Sequence, residues 1–177
     1  MQSLRKVLTV LFLLMAVLIL VGLALPGQWS TEREVRIDAA PADIFPRIAD
    51  LRQWQDWAVW FEHDPEMETT FSTPSHGVGA HYEWSGNQAV GTGRLDVIDV
   101  RPDTSVHVKL DMSDGRFRAT GVLELIPEAD ATRVRWQLGG ELGKDPFARL
   151  NRTLLQNAVG QTLQASLDNL QGLPAAQ

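Results

Sequence analysis

The chain has 177 residues, a formal net charge of −6 and no cysteine. This length suits one domain, or one domain with an appendage. The absence of cysteine excludes disulfides, thiolate metal sites and a cysteine nucleophile, and the acidic balance argues against a nucleic-acid-binding protein, which needs a basic face.

The N-terminal segment is an uninterrupted apolar run. Residues Val7–Leu25 carry no charge, follow Arg5 and Lys6, and end at Pro26-Gly27. A helix of this length spans about 28 Å, close to the roughly 30 Å hydrocarbon core of a bilayer. Positive charge on the short N-terminal side predicts that this side stays in the cytoplasm. We therefore expect residues 1–26 to anchor the chain in the inner membrane by a single pass, with the remaining residues on the extracytoplasmic side.

The alternative for this segment is a cleaved signal peptide. Gly22-Leu23-Ala24 offers small residues at the positions that a signal peptidase requires. The run is longer than the usual apolar region of a signal peptide, about 7 to 15 residues, which favours the anchor. A buried core helix is a poor third interpretation, because no polar face interrupts the run.

The rest of the chain is acidic. It contains all 22 acidic residues and all but two of the 16 basic residues. Such a charge repels anionic headgroups, so the anchor, and not a basic patch, is expected to hold the chain at the membrane. We interpret residues 27–33 as a short linker and residues 34–172 as a single domain.

The domain is predicted to begin with a strand and two short helices. Residues Glu34–Ala39 alternate polar and apolar side chains, as in a half-buried strand. A helix over Asp43–Leu51 follows, and Pro46 should kink or shorten it. Over Leu51–Trp60, three tryptophans recur at every third residue, which would place their indoles along one side of a second helix.

Turn-forming residues divide the following segment into further strands. The candidate strands are Glu66–Ser72, Gly77–Ser85, Ala89–Val100, Ser105–Asp111, Arg116–Ile126 and Thr132–Leu138. Their short, even spacing predicts an antiparallel meander. The apolar period then changes to that of a long amphipathic helix over Pro146–Leu170, in which Gly160 is a weak point.

This pattern resembles the START-like, helix-grip superfamily and, within it, bacterial SRPBCC proteins labelled polyketide cyclase/dehydrase. The resemblance covers residues 33–171 and is carried by Val35-x-Ile37, Ala40-Pro41, Ile44-Phe45, Ile48-x-Asp50-Leu51, Trp54-x-x-Trp57, Asp64-Pro65, Gly77-Val78-Gly79-Ala80, Trp84-x-Gly86-Asn87 and Val90-Gly91-x-Gly93. It implies an α+β fold in which a curved antiparallel sheet of about seven strands grips a long C-terminal helix, with two short helices after the first strand. It also implies a hydrophobic cavity for lipids, sterols, polyketides or other apolar molecules, and it assigns no shared catalytic residue.

Signals for a metal or nucleotide site are weak. His76 and His81 lie in a glycine-rich stretch, and residues 62–68 contain four carboxylates, but neither group has the ligand spacing of a zinc or calcium site. We interpret them as surface residues and a solvated acidic loop, and we expect no metal or other cofactor. The Gly91-x-Gly93 pair lacks the rest of a dinucleotide-binding fingerprint. We interpret it as a strand bend that lets the sheet curl, or as room for the helix to approach.

Aromatic side chains are the positive signal for a binding site, because large aromatics with a few polar tips form typical pocket walls. The residues predicted to contact a ligand are Trp57, Trp60, Tyr82, Trp84, Met112 and Phe117. Trp136, which alternates with Val134 and Leu138, is assigned to the core. Strand alternation directs Tyr82 and Trp84 inward and their neighbours outward.

These features predict a membrane-anchored domain that binds an apolar small molecule or lipid. One alternative is a cyclase- or dehydratase-type enzyme acting on such a ligand, and another is a protein-interaction domain whose cavity has collapsed. An enzyme needs an acid or base inside the cavity. The candidates are all expected on the outward face, which disfavours the enzyme: His81, Glu83, His107 and Asp111.

Overall fold

The computed structural model describes residues 2–113, 115 and 117–174. The α-helices are α1 (Gln2–Ala24), α2 (Pro41–Ala49), α3 (Trp60–His63), α4 (Pro146–Leu150) and α5 (Arg152–Gly172), and a 3₁₀ helix covers Leu51–Asp56. The strands are β1 (Gln28–Ile37), β2 (Glu68–Phe71), β3 (His81–Ser85), β4 (Thr92–Arg101), β5 (Ser105–Met112), β6 (Phe117–Pro127) and β7 (Thr132–Glu141). The predicted start of β6 at Arg116 lies outside the described residues.

The seven strands form one antiparallel sheet in the order β1-β7-β6-β5-β4-β3-β2. Strands β2 to β7 follow one another as a meander. The last of them, β7, pairs with β1, which forms the far edge of the sheet. The sheet curves around α5, whose inner residues Leu163, Leu167 and Leu170 are buried. The expected α+β helix-grip fold is therefore confirmed.

Strand β1 begins six residues earlier than the sequence pattern indicated. It pairs with β7 over its whole length, from Gln28 opposite Glu141 to Ile37 opposite Thr132. Residues 28–33, interpreted above as a linker, therefore belong to the sheet. Their one large apolar side chain, Trp29, is buried and packs against Phe117 with ring centroids 5.6 Å apart.

The helices differ from their predictions in three places. Helix α2 begins two residues earlier than predicted and continues three residues past Pro46, whose carbonyl accepts the N–H of Asp50. The predicted second helix is a 3₁₀ helix that ends before Trp57, and α3 then begins at Trp60. The long C-terminal helix is broken at Asn151, which lies between α4 and α5.

Helix α5 also covers the outer edge of β1. Gln156 donates a hydrogen bond to the carbonyl oxygen of Ser30, and Gln171 donates one to that of Arg36, both at 2.7 Å. Gly160 lies between them, and a side chain there would overlap the guanidinium of Arg33. The hydroxyl oxygen of Thr31 would also lie 3.1 Å from that side chain, so α5 runs close to β1 at the glycine that weakens the helix pattern in the sequence.

Helix α1 is long and apolar enough to cross a bilayer, a test that a signal sequence also passes. Of its residues only Gly22 is buried, against Pro146 at the start of α4. Arg149 donates to the carbonyl oxygens of Leu23 at 2.9 Å and Leu25 at 3.1 Å. A cation on the last carbonyls of a helix satisfies groups that have no partner within the helix, so α4 holds the end of α1.

Candidate functional site

A cavity of about 360 Å³ lies between the concave face of the sheet and α5. The sheet contributes apolar side chains from β3 to β7, among them Trp84, Leu95, Leu110, Met112, Phe117 and Leu138. Helix α5 closes the other side with Val159, Thr162 and Leu163. The cavity is therefore open and apolar, which contradicts the alternative of a collapsed core.

Strand β3 presents its aromatic residues to this cavity by simple alternation. Tyr82 and Trp84 are buried and line it, whereas Glu83 is exposed on the other face of the sheet. Glu83 there accepts a hydrogen bond from Arg94 at 2.6 Å. Because alternate side chains of a strand point to opposite faces, a shift of one residue would exchange these environments, and the expected register is confirmed.

Four tryptophans form a contiguous cluster beside the cavity. The rings of Trp54, Trp57 and Trp60 each contact that of Trp136, with centroid distances of 5.5 to 6.1 Å. Trp54 and Trp57 are held in the core because their indole N–H groups donate to the carbonyl oxygens of Ile48 and Arg47. The two structural tryptophans thus support the two that face the cavity.

Trp60 and Trp136 are the members of the cluster that line the cavity. Their indole N–H groups are buried and make no hydrogen bond to any described residue. Trp136 is only 3% exposed, so the sequence assignment to the core holds, but the residue also forms part of the cavity wall. Both N–H groups are therefore donors that a ligand in the cavity could use, and the Trp60 N–H lies near the phenol of Tyr82.

The mouth of the cavity is bordered by three exposed residues, His63, Ala89 and Ser113. Asp64 accepts the backbone N–H of Asn87 at 2.6 Å, and the side-chain amide of Asn87 donates to the carbonyl oxygen of His63 at 3.2 Å. These bonds tie the end of α3 to the loop between β3 and β4. Asp64 therefore helps to hold the two sides of the mouth together, although the sequence assigned it to a solvated acidic loop.

Tyr82 and His63 are the titratable side chains on the described part of the cavity wall. Burial raises the pKa of the Tyr82 phenol, so the phenol stays neutral at physiological pH. The nearby indole N–H of Trp60 opposes this shift in part, although its geometry falls short of a hydrogen bond.

The four acid–base candidates taken from the sequence do not line the cavity: His81, Glu83, His107 and Asp111. Asp111 is instead paired with Arg118 at 3.0 Å. Among the described residues no carboxylate lines the cavity, and no group of three His, Asp or Glu side chains comes together as a metal site. The described wall can hold and orient an apolar molecule through a few polar atoms, but it presents no paired acid and base.

Five of the six residues predicted to contact a ligand line the cavity, and their role in binding stays a prediction: Trp60, Tyr82, Trp84, Met112 and Phe117. The sixth, Trp57, is 1% exposed and lies behind the wall. Sequence reasoning missed His63 at the mouth and Val159 and Thr162 on α5. Val159 could have been found from Leu163, which lies one turn later on the same face of α5, and Thr162 lies three residues after Val159.

Comparison with known proteins identifies the fold and the family. The family model described as "Polyketide cyclase / dehydrase and lipid transport" matches residues 28–173. No curated protein matches the chain. The match begins at the first residue of β1 and therefore excludes α1.

Solved structures share this fold at low sequence identity. The protein MLL2253 from Mesorhizobium loti is 13% identical with a TM-score of 0.60, over 80% of this chain and 93% of that protein. The protein TTHA0849 from Thermus thermophilus is 20% identical with a TM-score of 0.56, over 80% and 94%. The di-domain ARO/CYC protein StfQ from the steffimycin biosynthetic pathway is 12% identical with a TM-score of 0.60, over 81% of this chain and 49% of that one.

Proposed function

The chain belongs to the polyketide cyclase/dehydrase and lipid transport family, and on that premise we propose that it is a membrane-anchored domain that binds an apolar small molecule or lipid. The observation that carries the proposal is the apolar cavity under α5, whose described wall contains no carboxylate. Removal of apolar surface from water drives such binding, at about 25 cal/mol per Å².

The size and wall of the cavity support a compact apolar ligand. Its volume of about 360 Å³ lies near the lower end of the range for small-molecule sites, about 300 to 1,000 Å³. The hydroxyl of Thr162 and the phenol of Tyr82 can orient one polar group of the ligand. A molecule with one slender apolar part fits this space better than a lipid with two acyl chains.

Helix α1 supports the membrane location. It exposes large apolar side chains along its length, and Arg5 and Lys6 precede its apolar run. Exposed apolar surface of this extent needs a bilayer or cleavage to remove it from water. We propose a single-pass anchor in the inner membrane with the domain on the extracytoplasmic side; cleavage near Ala24 is the competing outcome.

Mass spectrometry of co-purified molecules tests the proposed binding. The protein is extracted gently from membranes and compared with the Val159→Trp and Ala158→Trp variants. Val159 lines the cavity, whereas the adjacent Ala158 does not line it and is exposed, so the second variant is a matched control. We expect an apolar molecule with the parent protein and with Ala158→Trp, and its loss with Val159→Trp. Equal recovery from all three proteins would place the ligand elsewhere.

A further inference from the structure

We propose that the mouth of the cavity faces the membrane that α1 enters, with α4 and the first turn of α5 resting on the bilayer surface. A ligand would then pass between bilayer and cavity without crossing open water. This inference rests on the proposed anchoring by α1 and goes beyond it, because an anchor alone leaves the orientation of the domain undefined.

The strand register places the cavity at the end of the sheet nearest α1. Gln28, the first residue of β1, pairs with Glu141 at the end of β7. Across the remaining strands, the same end of the sheet carries Phe117 opposite Met112 and Gly93 opposite Trp84. Phe117, Met112 and Trp84 all line the cavity. This part of the cavity wall therefore lies at the same end of the sheet as Gln28, where the chain leaves α1.

The junction between α1 and α4 fixes this end of the domain close to the bilayer. Gly22 packs against Pro146 and lies three residues before Leu25, the last residue of the apolar run. At about 1.5 Å per residue this places Gly22 about 4.5 Å inside the end of the run. Any element that touches Gly22 must then lie at the boundary of the hydrocarbon. Arg149 fastens α4 there through the carbonyl oxygens of Leu23 and Leu25.

Two exposed apolar side chains lie beside this junction, among charged residues that include Glu141, Lys144 and Asp145. Outside α1, four large apolar side chains among the described residues are exposed: Val78, Ile98, Phe147 and Leu154. Phe147 lies in α4, and Leu154 lies in the first turn of α5. Lys144 and Arg152 flank them and can contact phosphate headgroups. The nearby carboxylate of Asp145 is used within the protein, where it accepts the N–H of Phe147.

Depth-dependent quenching tests the orientation, and a chain without cysteine allows a single fluorophore to be attached at a chosen site. The full chain is reconstituted in vesicles of phosphatidylethanolamine and phosphatidylglycerol that contain a nitroxide-labelled lipid. An environment-sensitive fluorophore is placed at Leu154→Cys, at Leu14→Cys within α1, and at Ala129→Cys in the exposed turn between β6 and β7, at the opposite end of the sheet.

We expect quenching at positions 14 and 154 and none at 129. Quenching at position 14 alone would overturn the orientation and leave the anchor intact. Quenching at 129 equal to that at 154 would also overturn it, because the two ends of the sheet would be equivalent. Quenching at no position would overturn both the orientation and the proposed anchor.

Transfer of a fluorescent single-chain fatty acid from the same vesicles tests the route. Phe147→Glu is compared with Ile98→Glu, because the parent residues are 48% and 47% exposed and only Phe147 lies beside α1. We expect the first substitution to slow transfer by about tenfold, since it replaces an apolar contact with a charge that anionic headgroups repel, and the second to leave the rate unchanged. Equal rates in the two variants would overturn the proposed route.

Discussion

Trp84 and Gly93 face each other across β3 and β4, and the indole of Trp84 occupies the space in which a side chain at position 93 would begin. The indole N–H donates to the carbonyl oxygen of Val90 at 3.2 Å, which fixes the ring in this position. Gly93 therefore makes room for part of the cavity wall. Of the glycine pair only Gly91 has a positive φ, +62°, and it lies in the turn before β4 and not within a strand.

Replacing Gly93 with alanine should displace the Trp84 ring. A methyl group at this position meets the indole and also lies 2.9 Å from the carbonyl oxygen of Asp111. We expect a loss of about 1 to 3 kcal/mol in the free energy of unfolding, the usual cost of overpacking, together with weaker ligand binding. Denaturant titration measures the first effect. The control is Gly172→Ala, which meets no atom within 4 Å, and an equal loss in both variants would contradict the explanation.

Alanine substitutions of the aromatic residues around the cavity should affect stability and ligand binding in different orders. Trp136 packs against three other indoles, so Trp136→Ala should cost about 3 to 5 kcal/mol. Tyr82→Ala and Trp84→Ala should cost less, because each enlarges a space that is already open, yet should weaken ligand binding most. Denaturant titration measures the loss of stability in each variant, and ligand titration measures the loss of affinity.

The outward residues of β3 provide the controls for that series. His81→Ser and Glu83→Gln should change the free energy of unfolding little, since the pair between Glu83 and Arg94 is solvent-exposed and such pairs contribute about 0 to 1 kcal/mol. Abolished turnover of a substrate in Glu83→Gln, at unchanged stability, would favour the enzyme alternative instead.

Alkaline pH should destabilise the fold through Tyr82, the single tyrosine of the chain. Burial raises its pKa above the ordinary value of 10.0. Below that value the phenol is neutral in both states and its contribution to stability is complete. Above it the unfolded chain ionises first, so the free energy of unfolding falls as the pH rises. The phenolate absorbance should appear only with unfolding, and Tyr82→Phe should lose less stability over the same range; a phenolate signal from the folded protein near its ordinary pKa would refute this.

The membrane topology proposed for the chain can be tested by labelling an introduced cysteine, whose position is chosen from the structure. Gly139-Gly140 has the composition of a turn but lies within β7, paired with both β1 and β6. Cysteine is better placed at Ala129, which is exposed between β6 and β7. An impermeant thiol reagent should label Ala129→Cys on spheroplasts. Labelling only after lysis would contradict the extracytoplasmic location, and a mature chain that begins near Leu25 would establish a signal peptide.

The order of the elements could be predicted from the sequence because each strand ends at a strong turn signal. The start of β1 could not, since Trp29 is the one large apolar residue among positions 28–33 and gives no alternating pattern. The break at Asn151 was hidden for the opposite reason: apolar residues continue at helical spacing on both sides of it. Helix α4 ends because the backbone of Asn151 leaves the α-helical conformation, with φ of −90° and ψ of 8°.

The candidate site was predictable where strand alternation decides the direction of a side chain, as for Tyr82 and Trp84. It was less predictable among the tryptophans, because equal spacing suggested equal roles for Trp57 and Trp60. The 3₁₀ helix ends before Trp57, whose indole bonds to Arg47 ten residues earlier. His63 had no local signal, since its place at the mouth depends on bonds to Asn87, more than twenty residues away.

The glutamine contacts along β1 also restrict how copies of this chain can associate. A strand at the edge of a sheet invites a strand of another molecule to pair with its free backbone groups. Here Gln156 and Gln171 already occupy two carbonyl groups of β1, and α5 lies over that edge. The opposite edge, β2, is only four residues long. Both edges of the sheet therefore offer little free backbone to a strand of another molecule, a property that would matter if the proposed anchor concentrates copies of the chain in one membrane.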